Sequence, residues 1–140
     1  PMDINLLAIL IAAVVQFIVG AIWYMPIFGK TWGKIHGFDM VPPAEQAQMM
    51  KGMWKLLLVQ FISTLVMTTV LAIFITFLPA NWNVYALAGF FWLGFILTTQ
   101  ISAVLFGGTK PEWVVKKIAI MAVEALIRIE LAAIIIKSMM

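Results

Sequence analysis

The stretch Met53-WKLLLVQFISTLVMTTVLAIFITF-Leu78 has no charged residue after Lys55 and no alternation of apolar and polar positions. A helix rising 1.5 Å per residue needs about 20 such residues to cross roughly 30 Å of hydrocarbon, so this segment is long enough to span a membrane. Three further runs read the same way: Leu6 to Phe28, Val84 to Phe106 and Trp113 to Ile136. Lipid offers backbone N–H and C=O groups no partner, so spanning segments are helices or a closed barrel, and long runs without alternation exclude the barrel. The expected fold is all-α, an integral membrane bundle of four transmembrane helices forming a single domain over residues 1–140.

Composition agrees. The chain is 64% hydrophobic and 11% charged, with a mean hydropathy of +1.08, against about 45–50% and 25% in soluble domains. No linker-like stretch or long charge run marks a second domain. The absence of cysteine excludes disulfides, thiolate metal sites and cysteine nucleophiles. The net charge is +3, but the basic residues flank apolar runs and form no stripe on a polar face. The lipid bilayer, not nucleic acid, is therefore the expected partner. Pro1 ahead of Met2 reads as a residue left by removal of a purification tag. The first apolar run lacks a basic leader and a small-residue cleavage site, and reads as a retained span rather than a secretory signal.

Short loops rich in Lys and Arg stay in the cytoplasm. Lys30, Lys34, Lys51 and Lys55 edge the first loop (29–52), and Lys110, Lys116 and Lys117 the third (107–112), whereas the other side has only Lys137. This predicts a multi-pass protein of the cell membrane with both basic loops cytoplasmic and both termini outside. Trp23, Tyr24, Trp32, Trp54 and Trp113 gather at the inner interface, and Trp82 and Tyr85 at the outer one. Within the first loop, Pro43 followed by Glu45 reads as a helix start. Residues 43–51 then either extend the second span into the cytosol or form a short interfacial segment.

At the end of the first span stands Trp23-Tyr24-Met25-Pro26-Ile27-Phe28-Gly29-Lys30-Thr31-Trp32. Pro26 has no N–H for the Ile22 carbonyl, so the helix kinks or ends there, with Trp23, Tyr24 and Trp32 able to anchor the bend. The motif reads as a structural anchor, or as a headgroup clamp using Lys30 and Lys34. It resembles the motif at the end of the first helix in a bacterial family of small four-span membrane proteins, domain of unknown function 1761. Lys51-Gly52-Met53 and Trp92-Leu93-Gly94-Phe95, with Thr98, Thr99, Leu105 and Phe106, extend the resemblance over nearly the whole chain. It implies a four-helix membrane fold and no known activity. The fourth segment departs from the family's apolar, aromatic-containing pattern by carrying Glu124, Arg128 and Glu130. A second likeness, between Ile27-Phe28-Gly29 and Leu105-Phe106-Gly107, hints at a duplicated hairpin.

The candidate polar site inside the spans is made of Gln16, Gln60, Gln100, Glu124, Arg128 and Glu130. Such groups are costly in lipid and should face protein or water. Glu124 and Arg128 stand at i and i+4, where side chains meet on one helix face. Glu130 lies about 120° away, with no opposite charge from another span at its depth. Its options are protonation, a water-filled cavity, or pairing across a subunit interface, which predicts a homo-oligomer, most simply a dimer, joined through the fourth helix. Small and polar residues mark contact ridges at Ala8, Ala12, Gln16 and Gly20; at Gln60, Thr64, Thr68 and Ala72; and at Gly94, Thr98 and Ser102.

His36 is the only histidine and lies in a loop, so neither a haem pair nor a His-based metal site is expected. No phosphate-binding, dinucleotide-binding or nucleophile-elbow motif occurs. No catalytic residue, cofactor or metal is expected, and the chain does not read as an enzyme. Two functional readings remain. One is an interaction or membrane-structural bundle; the alternative is a small oligomeric transporter or channel passing a small solute or ion along Gln16, Gln60, Gln100, Glu124 and Arg128.

Overall fold

The computed structural model describes residues 3–140; the tag remnant inferred at Pro1 lies outside them. Among the described residues the regular structure is all helical. Helix α1 (Leu6–Ile22) starts at Asn5, whose side chain accepts the Ala8 N–H at 3.0 Å. It runs into a π-helical turn, Trp23–Ile27, then α2 (Gly29–Ile35). A left-handed Gly37 (φ 71°) and a 3₁₀ turn lead to α3 (Pro43–Lys51). Gly52 separates α3 from α4 (Met53–Phe77), so residues 43–51 form a short helix of their own. Helix α5 (Val84–Phe91), capped by Asn83, passes through a second π-helical turn, Trp92–Leu97, into α6 (Thr98–Phe106). Gly108 (φ 77°) turns the chain toward α7 (Val114–Ser138).

Among the described residues three helices are long and apolar enough to cross a membrane: Leu6–Ile27, Met53–Phe77 and Val84–Phe106. Helix α7, expected as the fourth span, equals α4 in length at 25 residues. It falls short in composition, because Glu124, Arg128 and Glu130 occupy its central stretch.

The most charged long helix is also the one most enclosed by the chain. Helix α7 packs against α1, α4, α5 and α6. Its buried face includes Ile129, Ala132, Ala133 and Ile136, which meet Ile9 and Ala12 of α1, Leu71, Ala72 and Ile75 of α4, and Val84, Leu87 and Ala88 of α5. Alanines dominate the closest approaches, with Ala12, Ala13, Ala88 and Ala133 fully buried. In lipid, where apolar side chains gain little from leaving the solvent, association rests on such close backbone packing.

The π turns explain two departures from sequence expectation. Without its N–H, Pro26 cannot continue an α-helical ladder; the turn widens instead, and the Phe28 N–H reaches back five residues to the Trp23 carbonyl at 2.9 Å. In the third apolar run, the ridge expected at Gly94, Thr98 and Ser102 is exposed. The extra residue of the Trp92–Leu97 turn rotates the helix beyond it, so the inward positions become Val84, Ala88, Trp92, Ile96, Gln100 and Val104. The ridges of α1 and α4 pack as expected except at Gln60, which is exposed.

Candidate functional site

The polar residues of the apolar helices divide into separate groups. Gln16, fully buried on α1, donates from Nε2 to Thr68 Oγ1 of α4 at 2.7 Å and to the Ala12 carbonyl at 3.2 Å. Thr68 Oγ1 in turn donates to the Thr64 carbonyl at 2.6 Å. This short relay ties α1 to α4, and Gln16 Oε1 is left without a hydrogen-bond partner.

One turn further along α1, Gly20 faces Glu124 of α7. A Cβ built on Gly20 would stand 3.4 Å from Glu124 Oε1, so the carboxylate occupies space that any larger residue would narrow. Glu124 is 3% exposed and its Oε1 lies 2.7 Å from Arg128 Nε. The Nε–H is angled off the oxygen, which makes this a charge contact without a directed hydrogen bond. It is the one ion pair among the described residues, at the i, i+4 spacing expected for it.

Glu130 sits elsewhere, half-buried, with Oε1 3.6 Å from the position of a Cβ on Gly89 of α5. Helix α7 stands between α1 and α5, so each carboxyl meets a glycine on a different neighbour. Gly89 supplies room but no charge.

The indoles show the same two-sidedness. Trp23 Nε1 donates to the Ile120 carbonyl at 3.0 Å and Trp92 Nε1 to the Ala122 carbonyl at 2.8 Å. Two residues along a helix turn by about 200°, so the two indoles reach α7 from nearly opposite sides at almost one level. The sequence elements are Gly20-Ala21-Ile22-Trp23 and Gly89-Phe90-Phe91-Trp92, each with its Trp opening a π turn. This G-x-x-W recurrence was legible in the sequence; the likeness of Ile27-Phe28-Gly29 to Leu105-Phe106-Gly107 has no packing counterpart. Phe28 is half-buried against Trp23 at 4.8 Å, whereas Phe106 is 89% exposed.

The interface motif closes on itself. Tyr24 and Trp32 lie 4.7 Å apart, Trp32 and His36 4.5 Å, and the Lys117 ammonium stands 5.8 Å over the Trp32 ring. A Cβ on Gly29 would approach the Tyr24 carbonyl to 3.4 Å. Lys30 and Lys34 are exposed, and Pro26 lies inside the widened turn.

Of the six polar positions, the structure brings Glu124 and Arg128 together and sets Gln16 on the adjoining α1 face. Gln60 is exposed, Gln100 is half-buried with Oε1 unpartnered, and Glu130 belongs to the α5 side. Two clefts lie apart from this cluster. One, about 430 Å³, is bordered by Asp3, Asn5, Thr76 and Met139 near the start of α1 and the end of α7. The other, about 300 Å³ and wholly apolar in lining, runs between α4 and α5, with Phe74, Phe91 and Ile129. No group of three or more His, Cys, Asp or Glu suited to a metal occurs among the described residues.

A family model covers residues 7–137, from the first apolar helix through the end of α7, under the description protein of unknown function (DUF1761). The chain belongs to DUF1761. The match includes the motif at Trp23–Trp32 and both G-x-x-W elements, so the clasp around α7 lies wholly within the DUF1761 region. No curated protein and no solved structure matches the chain.

Proposed function

We propose that this DUF1761 protein is a four-span membrane scaffold that works by interacting with other membrane components, without catalysing a reaction or passing solute. In this reading α7 is the fourth span, both termini lie outside and the two basic loops are cytoplasmic.

The observation that carries it is the disposition of the polar groups: Gln16 and the two indoles join neighbouring helices, and Glu124 is taken up by Arg128 within α7. Gln16 is engaged with Thr68, Glu124 with Arg128, and both indoles with α7 carbonyls. Gln60 stands outside this cluster, and the Ile9, Leu71, Ile75, Ile129 and Ile136 core fills the part of the bundle beyond it. A solute path would need continuous polar lining, and the exposed Gln60 on one side of the cluster and the apolar core on the other interrupt it.

Flux of protons and small solutes in proteoliposomes tests the proposal. Wild type and Glu124→Gln are both expected to match protein-free vesicles. Flux in the wild type that disappears in Glu124→Gln would give the chain to the transporter class instead.

A further inference from the structure

Helix α7 is enclosed on three sides, yet one stripe of it stays open. Val123 is 46% exposed, Ile127 37% and Ile134 44%, with the half-buried Glu130 among them and Lys137 exposed at the end. The steps 123, 127, 130, 134 and 137 alternate four and three residues. That is the seam spacing with which one helix packs along another at a shallow left-handed angle.

Most of this stripe is what any lipid-facing helix shows. Glu130 is different. Its carboxyl lies roughly 8 Å from the middle of the span by helical rise, at the lip of the α5–α7 contact, and Gly89 beside it offers neither charge nor a side-chain donor. An intramembrane carboxyl that is half open and unpaired within the chain is a costly feature that an opposite charge at the same depth would offset. The same glycine that gives it room also lets a neighbouring backbone come close.

We propose that the open face of α7 is a docking surface for a transmembrane helix of another protein, one carrying a single Lys or Arg at the depth of Glu130 on an otherwise apolar face. Charge complementarity selects the occupant. A second copy of this chain fits less well: in a parallel pair, Arg128 is the basic residue nearest that depth, and it already lies 2.7 Å from its own Glu124. Lys137 is two turns, about 10 Å, further out. This inference rests on the reading of α7 as a span and names the class of partner the scaffold takes.

The test uses the full chain in phosphatidylcholine/phosphatidylglycerol vesicles with single-span Leu/Ala probe helices that carry Lys, Leu or Glu at the matched depth. Binding is read by energy transfer. The Lys probe is expected to bind wild type at least tenfold more tightly than the Leu probe. Glu130→Gln, close to isosteric, should abolish that preference, and Glu130→Lys should transfer it to the Glu probe. Equal binding of Lys and Leu probes to wild type, or a Lys preference that survives Glu130→Gln, overturns the proposal. So does efficient self-cross-linking through cysteines at Val123 or Ile127 that the Lys probe fails to displace, which would assign the face to a second copy. Cysteines at Glu112 and Lys137, labelled from the two sides of the same vesicles, test whether α7 spans. Opposite-side labelling without a Lys preference sinks the docking inference alone, and same-side labelling sinks the four-span reading beneath it.

Discussion

Replacing Arg128 with Leu should destabilise the bundle more than replacing Glu124 and Arg128 together. The single change strands a carboxylate that is 3% exposed and has no other cationic partner among the described residues. Removing one member of a buried pair costs about 3–5 kcal/mol, whereas replacing both with apolar residues of similar volume is close to neutral. The lower end applies, about 3 kcal/mol, because Nε makes a charge contact without a directed hydrogen bond and that contribution is absent from the start. The reverse single change, Glu124→Leu, should cost less, about 1–2 kcal/mol. The Arg128 side chain is 16% exposed, and its long stem can carry the guanidinium toward a more polar level. The expected order of loss is Arg128→Leu, then Glu124→Leu, then the double variant, read from reversible unfolding in mixed detergent micelles. If Arg128→Leu and the double variant lose equal stability, the single change strands no costly carboxylate and the pairing argument is refuted.

Four further outcomes are expected. Cysteines at His36 and Asn83 should label from opposite faces of intact cells, Asn83 from outside; the reverse pattern would invert the proposed orientation. Trp23→Phe and Trp92→Phe should each cost about 0.5–1.5 kcal/mol for one lost hydrogen bond. Their combination should add to within about 0.5 kcal/mol, since they hold opposite sides of α7; a strongly non-additive double variant would contradict the two-sided clasp. Gly20→Leu, pressed against Glu124, should cost about 1–3 kcal/mol. Gly94→Ala, with nothing within 4 Å, should gain about 0.5–1 kcal/mol in thermal or detergent unfolding, and a loss there would mean that position 94 is packed.

Much of the architecture is written in hydropathy. Run lengths locate α1, α4 and the α5–α6 helix to within a residue or two, because bilayer thickness fixes how long an apolar run must be. The i, i+4 rule finds the Glu124–Arg128 pair, which is local to one helix. What hydropathy cannot encode is which helix stands between the others. Glu130 reads as lacking a place because spacing along α7 shows the angle to Glu124 but not the neighbour waiting there, and that neighbour is identified by Gly89, a residue with no side chain to draw notice. The outward turn of Gly94, Thr98 and Ser102 escaped for a related reason. Their four-residue steps assume an unbroken α-helix, and nothing in Trp92-Leu93-Gly94-Phe95-Ile96-Leu97 announces a widened turn.

The place of α7 between α1 and α5 bears on how the protein is made. A helix with Glu124, Arg128 and Glu130 in its middle is a poor passenger for bare lipid, where inserting one Arg or Asp at the centre costs about 2.5–3.5 kcal/mol. By the time α7 leaves the ribosome, the three apolar helices that precede it are already synthesised. They hold both glycine recesses and both indole donors that its carboxyls and carbonyls require. If α7 is the fourth span, as proposed, its integration is conditional on its predecessors, and a ribosome-bound chain lacking α1 or α5 should leave α7 stalled at the translocon or exported into the aqueous phase.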